Sequence, residues 1–214
     1  MIPNSQCVFI VDDDAWVRDS LTVLLDLKGY RTQSFASAEE FLRDYRPASA
    51  GCLLLDVRMA GMSGLELQLA LRERQIKLPV IVMTAHGDVP TARAALVAGA
   101  VDFLEKPVDP ELLLVTVRAA LDGDAAQRSV ARKVEQERRK LDVLTVRERQ
   151  IMEMIAEGTH NRDIATKLGI SPRTVEGHKA RLMDKLQVRS VTELVHLVLG
   201  AMPETKPGDF KSWF

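Results

Sequence analysis

Residues 52–64 read CLLLDVRMAGMSG: a short apolar run, Cys52–Leu55, that stops abruptly on Asp56. Such a run has the length of a strand buried on both faces and is too short for a helix. The pattern recurs on either side. Further strand-like runs lie at Cys7–Val11, Arg31–Phe35, Pro79–Met83 and Val101–Leu104. The stretches Trp16–Leu27, Ala38–Tyr45, Leu65–Arg74, Val89–Ala98 and Pro110–Leu121 carry apolar residues at helical spacing, and Gly29, Gly51, Gly99, Pro47 and Pro79 mark the joins. Five β–α repeats predict an α/β, doubly wound, five-stranded parallel sheet with helices on both faces. In that class the functional groups collect beyond the carboxyl ends of the strands, where strand order reverses.

The residues at those ends carry the chemistry. The first strand ends in Asp12-Asp13-Asp14, the third in Asp56 and the fourth in Thr84-Ala85, and the fifth is followed by Lys106-Pro107. Converging carboxylates repel one another unless a cation sits among them, and hard oxygen donors favour Mg²⁺ (or Mn²⁺) over zinc. A divalent cation beside a carboxylate, an ammonium and a hydroxyl suits phosphoryl transfer, with the carboxylate as attacking group. Asp14 reads as a helix cap. Cys7 and Cys52 begin neighbouring strands and are expected close together, reduced and buried. Two cysteines without a CxxC pattern build neither a disulfide framework nor a zinc site.

Beyond residue 122 the character changes. Asp122-Gly123-Asp124 reads as a break, and 123–141 as a charged helical linker able to pair in a dimer. Residues 142–200 read as four helices. Thr145-Val146-Arg147-Glu148 is a capping box that opens a helix to about Glu157. Arg162–Leu168 follows and is closed by Gly169. Ser171-Pro172 supplies an N-cap and a first-turn proline for a helix to about Leu186, and Val191–Leu199 is the last. Two short helices joined by a glycine-containing turn form a helix-turn-helix. Ile164, Leu168, Ile170, Val175, Leu182 and Leu186 would pack them together. Arg173, Glu176, Lys179 and Arg181 would then face a DNA major groove. Ser171 and Thr174 at the helix start, and Lys185 and Arg189 at its end, are candidate phosphate contacts. His178 reads as packing. Gly177, inside the helix, costs about 1 kcal/mol against alanine and removes a possible base contact. Residues 201–214 read as a polar tail.

Composition fits two domains with different partners. The chain of 214 residues has a net charge of −1. Residues 1–122 hold 12 Lys+Arg against 17 Asp+Glu, whereas residues 123–214 hold 17 against 13. The positive excess is concentrated in the linker and in 171–189, since residues 142–200 as a whole hold nine basic against eight acidic side chains. No apolar run approaches the roughly 18 residues that span a bilayer. The N-terminal residues lack a positive region and a cleavage pattern, so neither export nor a membrane partner is expected, and the expected location is the cytoplasm.

With these residues in place, the first half resembles a bacterial response-regulator receiver domain. The whole chain, over about 5–200, resembles the FixJ/NarL family of two-component transcription factors. The resemblance implies a flavodoxin-like (CheY-like) receiver at 1–122 and a LuxR-type helix-turn-helix domain at 142–200. It implies Asp56 as phospho-acceptor and Asp12, Asp13, Asp56 and the backbone carbonyl of Arg58 as ligands of Mg²⁺. Thr84 and Lys106 would bind the phosphoryl oxygens, Thr84 and Phe103 would form the switch, and Lys106-Pro107 would be cis. His86 and Arg58 flank the acceptor and would tune phosphoryl lifetime. The implied partners are a sensor histidine kinase, double-stranded promoter DNA, a second copy on activation through the surface around Val89–Ala98 and the fifth strand, and RNA polymerase. No turnover of an external substrate is expected. Where the family usually has proline four residues after the acceptor this chain has Ala60, which is expected to loosen the loop.

Two other classes remain open at the level of sequence. A haloacid-dehalogenase-like phosphatase also uses Asp-x-Asp after its first strand, which Asp12-Asp13-Asp14 contains, although Trp16 stands where that family has Thr or Val. The helical half could alternatively serve as a protein-interaction module.

Overall fold

A computed structural model describes residues 6–46, 49–85 and 89–201. The first half forms β1 (Gln6–Val11), α1 (Ala15–Leu27), β2 (Arg31–Phe35), α2 (Ala38–Asp44), β3 (Ala50–Asp56), α3 (Gly64–Glu73), β4 (Val80–Thr84), α4 (Val89–Val97), β5 (Asp102–Glu105) and α5 (Pro110–Leu141). The strands are parallel in the order β2-β1-β3-β4-β5. Strand order therefore reverses between β1 and β3, and the carboxyl ends of those two strands carry Asp12 and Asp56.

Strand alternation decides which side chains meet which helices. Phe9, Val11, Leu53, Leu55, Val80 and Val82 face one core, shared with Phe41, Leu67 and Ala95. Val8, Ile10, Cys52, Leu54, Ile81 and Met83 face the other, shared with Leu21, Leu25, Leu113 and Val117. On the first face Phe41 and Tyr45 stack with ring centroids 5.0 Å apart, and Phe9 and Phe35 meet them edge-on. Cys7 pairs with Gly51 and Val8 with Cys52, so the two thiols lie on opposite faces of the sheet. Cys52 is buried but Cys7 only half-buried, which corrects the expectation that both are buried side by side.

The expected break at Asp122-Gly123-Asp124 is absent. α5 runs without interruption from Pro110 to Leu141, and the linker is its second half. Its continuity has two anchors. Gln6 Nε2 donates to the Leu121 carbonyl at 2.7 Å, and the Asp124 carboxylate, itself buried, accepts the Gly51 amide at 3.0 Å. A sequence that looks like a loop is thus held as helix by a buried polar contact. The chain divides into two compact units, 1–127 and 128–214.

The second unit contains α6 (Val146–Ala156), α7 (Asn161–Leu168), α8 (Pro172–Lys185) and α9 (Val191–Gly200) around a core of Leu141, Ile151, Met152, Ile164, Val175, Leu182, Leu194 and Val198. The capping box at Thr145/Glu148 is fully formed. Gly169 closes α7 with φ +64°, a left-handed conformation that costs glycine no steric strain. Ser171 caps α8 by accepting the Thr174 amide at 3.1 Å. The expected tail lies outside the described residues except for Ala201.

Candidate functional site

The switch point brings three of the predicted residues into contact. Lys106 Nζ stands 2.6 Å from Asp12 Oδ2 and 2.6 Å from Asp56 Oδ1. Asp12 and Asp56 are both buried. Their remaining oxygens are also engaged: Asp12 Oδ1 accepts the Asp14 amide at 3.0 Å, and Asp56 Oδ2 accepts the Arg58 amide at 2.9 Å. Burial pushes the Asp56 carboxyl above the ordinary carboxylate value, against the pull of Lys106 and the Arg58 amide. For Lys106 burial alone would lower the pKa. The hydrogen bonds to Asp12 and Asp56 outweigh it and hold the ammonium above the ordinary lysine value.

Local sequence explains each position. Asp56 ends β3, and a loop of residues 57–63 leads into α3, whose first residue is Gly64. A Cβ at Gly64 would collide with the Asp56 carbonyl oxygen, so glycine lets the helix start against the acceptor strand. Ser63 and Glu66 form a capping box there. Asp14 caps α1 by accepting the Trp16 amide at 2.8 Å, as read from the sequence. Thr84 is buried at the end of β4, and its carbonyl accepts the Lys106 amide at 2.8 Å, tying β4 to the Lys106-Pro107 turn, whose bond is cis. Phe103 on β5 is half-buried against the aromatic-bearing core. His86 lies outside the described residues.

Asp13 is placed differently from Asp12 and Asp56. It is exposed, and its Oδ2 accepts the Ala60 amide at 3.0 Å. Two residues on, Met62 N donates to Glu39 Oε1 at 2.9 Å. The loop after Asp56 is thus held by carboxylates from two other segments, and an alanine at 60 keeps the N–H that Asp13 accepts. Glu39 was not legible as a site residue, because its partner is 23 residues away and an acidic residue in a first helical turn reads as a dipole partner.

The donor set fits a divalent cation. Asp12 and Asp56 converge closely enough to share one ammonium, so the pocket holds a positive charge from its own chain, and every acidic donor is a hard oxygen. Among the described residues no three such side chains are gathered as a ligand set, and Asp13 Oδ2 is turned to Ala60.

On α8, Arg173, Thr174, Glu176 and Arg181 are exposed, Lys179 is half-exposed, and Val175 and Leu182 are buried. Ser171 and Arg189 are exposed near its two ends. Lys185 has a role the sequence did not suggest. Its ammonium lies 2.6 Å from Glu148 Oε2, a buried carboxylate on α6, so it holds α8 to α6. Arg147 on the same helix donates to the last carbonyl of α7, Leu168, at 2.6 Å. Among the described residues, nothing lies within 4 Å of a Cβ placed on Gly177, and the buried His178 Nδ1 atom meets no hydrogen-bond partner.

Comparison with known proteins agrees with both halves. Residues 8–118 match the response regulator receiver domain, and residues 142–198 match the luxR family of bacterial regulatory proteins. The chain is 43% identical to the transcriptional regulatory protein FixJ of Azorhizobium caulinodans, over 92% of this chain and 94% of that one. It is 43% identical to the transcriptional regulatory protein TdiR of Thauera aromatica, over 92% and 86%. Among solved structures, the response regulator StyR superposes with a TM-score of 0.80 at 41% identity, covering 91% of this chain and 98% of that one. Full-length FixJ from B. japonicum gives 0.56 at 39%, covering 91% and 96%. No helix among the described residues is long and apolar enough to cross a membrane. With a receiver fold whose switch point carries Asp12, Asp56 and Lys106, and a helical half that matches the luxR family, the chain belongs to the response-regulator family of transcriptional regulators.

Proposed function

We propose that this protein is switched by phosphorylation of Asp56 and passes that switch to promoter DNA. The observation that carries the reading is the contact of Lys106 with both Asp12 and Asp56 at the strand-order reversal. A carboxylate oxygen of Asp56 attacks the phosphorus of a phosphohistidine on a sensor kinase. The new P–O bond forms as the P–N bond breaks, and the imidazole leaves with the electron pair and takes up a proton. Lys106 moves from carboxylate to phosphoryl oxygen, and Thr84 at the end of the adjacent strand supplies a hydroxyl to another. Bound by Asp12, Asp13, Asp56 and the Arg58 carbonyl, Mg²⁺ or Mn²⁺ would supply neutralisation of the phosphoryl charge. Displacement of Thr84 makes room for Phe103 to turn further inward, changing the surface of α4 and β5 and favouring a dimer. A two-fold dimer places two copies of α8 on successive half-sites of a duplex. There Arg173, Glu176, Lys179 and Arg181 read or line the groove, while Ser171, Thr174 and Arg189 hold phosphates. Lys185 is omitted from that set because its ammonium is engaged by Glu148.

The test combines size-exclusion chromatography and gel shift at fixed salt, with and without beryllofluoride and Mg²⁺, for the wild type and Asp56→Asn. The expected result is a larger species with tighter duplex binding only for the wild type with both additives. Equal DNA affinity in all four conditions would overturn the coupling. Sustained hydrolysis of a phosphate ester would favour a phosphatase instead.

A further inference from the structure

Ala60 has no reacting side chain, yet its backbone amide holds one of the acidic residues of the site. We propose that the Ala60 N–H is a built-in competitor for Asp13, so that residue 60 sets how tightly the pocket takes a divalent cation. This rests on the reading of Asp13 as a cation ligand.

The geometry carries the argument. Asp12 and Asp56 already converge, with Lys106 between them, whereas Asp13 is directed at the loop and its Oδ2 accepts the Ala60 amide at 3.0 Å. The three carboxylates are not gathered as a ligand set in this state. For the Oδ2 oxygen of Asp13 to join the other two carboxylates on a cation, that hydrogen bond must lengthen or break. A protein whose binding-competent arrangement is only partly populated shows an affinity reduced by that fraction. The bond is charge-assisted, but both Asp13 and Ala60 are exposed, so the penalty is that of a solvent-accessible hydrogen bond. Proline has no N–H and cannot make it.

The coupling is reciprocal. Recruiting Asp13 to a cation frees the Ala60 amide, while the Met62 amide stays on Glu39 and the Arg58 amide on Asp56. Cation binding is therefore reported to the loop that leads from the acceptor into α3. Glycine at 60 would loosen the loop but retain the N–H, which separates the competitor from mere flexibility.

The experiment is calorimetric titration of MgCl₂ into the full chain for the wild type, Ala60→Pro and Ala60→Gly. Ala60→Pro is expected to bind Mg²⁺ about three- to tenfold more tightly, the range of one net hydrogen bond, and Ala60→Gly to match the wild type. Unchanged or weaker binding by folded Ala60→Pro overturns the proposal, as does an equal gain in Ala60→Gly. Amide hydrogen exchange by NMR of the wild type decides the matter should Ala60→Pro not fold. The Ala60 amide is expected to be protected without Mg²⁺ and to lose protection at saturation, and constant protection would overturn the proposal. Wild type that takes up no Mg²⁺ at all would instead remove the cation reading itself.

Discussion

Glu148 shows how far a single residue can depart from what its local sequence says. The Thr145-x-x-Glu148 spacing marks a capping box, and the Thr145 amide does donate to Glu148 Oε2 at 2.9 Å. The same oxygen also takes Lys185, 37 residues later. Lys185 and the Thr145 amide, acting against burial, hold the Glu148 carboxyl down at about 2, well below its ordinary 4.5. A lowered carboxylate pKa contributes stability that is fully present above about pH 4.5 and fades as the pH falls towards 2. Glu148→Gln is therefore expected to lower the unfolding free energy of the helical unit at neutral pH, with the difference from wild type closing in acid. Urea melts at pH 7, 4 and 2.5 check this, and a difference that stays constant with pH would contradict it. The capping half of this network was legible because caps are local. The ion pair was not, since a lysine at the end of α8 reads as a phosphate contact and its partner lies on α6, 37 residues away.

At the scale of elements, strands were read more reliably than the helix that links the two halves. An apolar run that stops on a polar side chain marks a strand end, which is why Asp12, Asp56 and Thr84 fell at the ends of β1, β3 and β4. The Asp122-Gly123-Asp124 stretch carries three residues with poor helix propensity, and contacts distant in sequence override it, among them the Asp124 carboxylate on the Gly51 amide, 73 residues away. Two substitutions test that account. Gly123→Ala meets nothing within 4 Å and should stabilise α5 by about 1 kcal/mol. Asp124→Ala removes a buried acceptor from the Gly51 amide and should cost about 1–3 kcal/mol. Denaturant unfolding with helicity followed by circular dichroism measures both, and a neutral Asp124→Ala would show that α5 needs no such anchor. Ala60 teaches the complementary lesson: the sequence shows which side chain is missing, but the backbone N–H it restores acquires meaning only beside Asp13.

At the scale of the molecule, each compact unit carries its own core, the sheet and its helices in one and α6 to α9 in the other. Ile151 is fully buried in the second. Ile151→Ala should cost that unit about 2–5 kcal/mol and shift its unfolding transition, while the transition of the sheet-containing unit, reported by Tyr30 and Tyr45, stays in place. A common shift of both would mean that the two unfold as one. The near-neutral total charge had concealed this division. The acidic excess falls in the half that carries Asp12, Asp13 and Asp56, and the basic excess in the half that presents α8. Binding of duplex DNA should accordingly weaken steeply with salt.

The pleat of the sheet has a practical corollary. Because Cys7 and Cys52 project to opposite faces, the chain offers no internal pair for oxidation. Burial raises both thiols, Cys52 the more strongly, so neither is readily a thiolate at neutral pH. A cysteine newly introduced on the surface would therefore outcompete both for a maleimide. Fluorophores or spin labels can then be attached singly, and the motion that follows phosphorylation measured, without first removing a native residue.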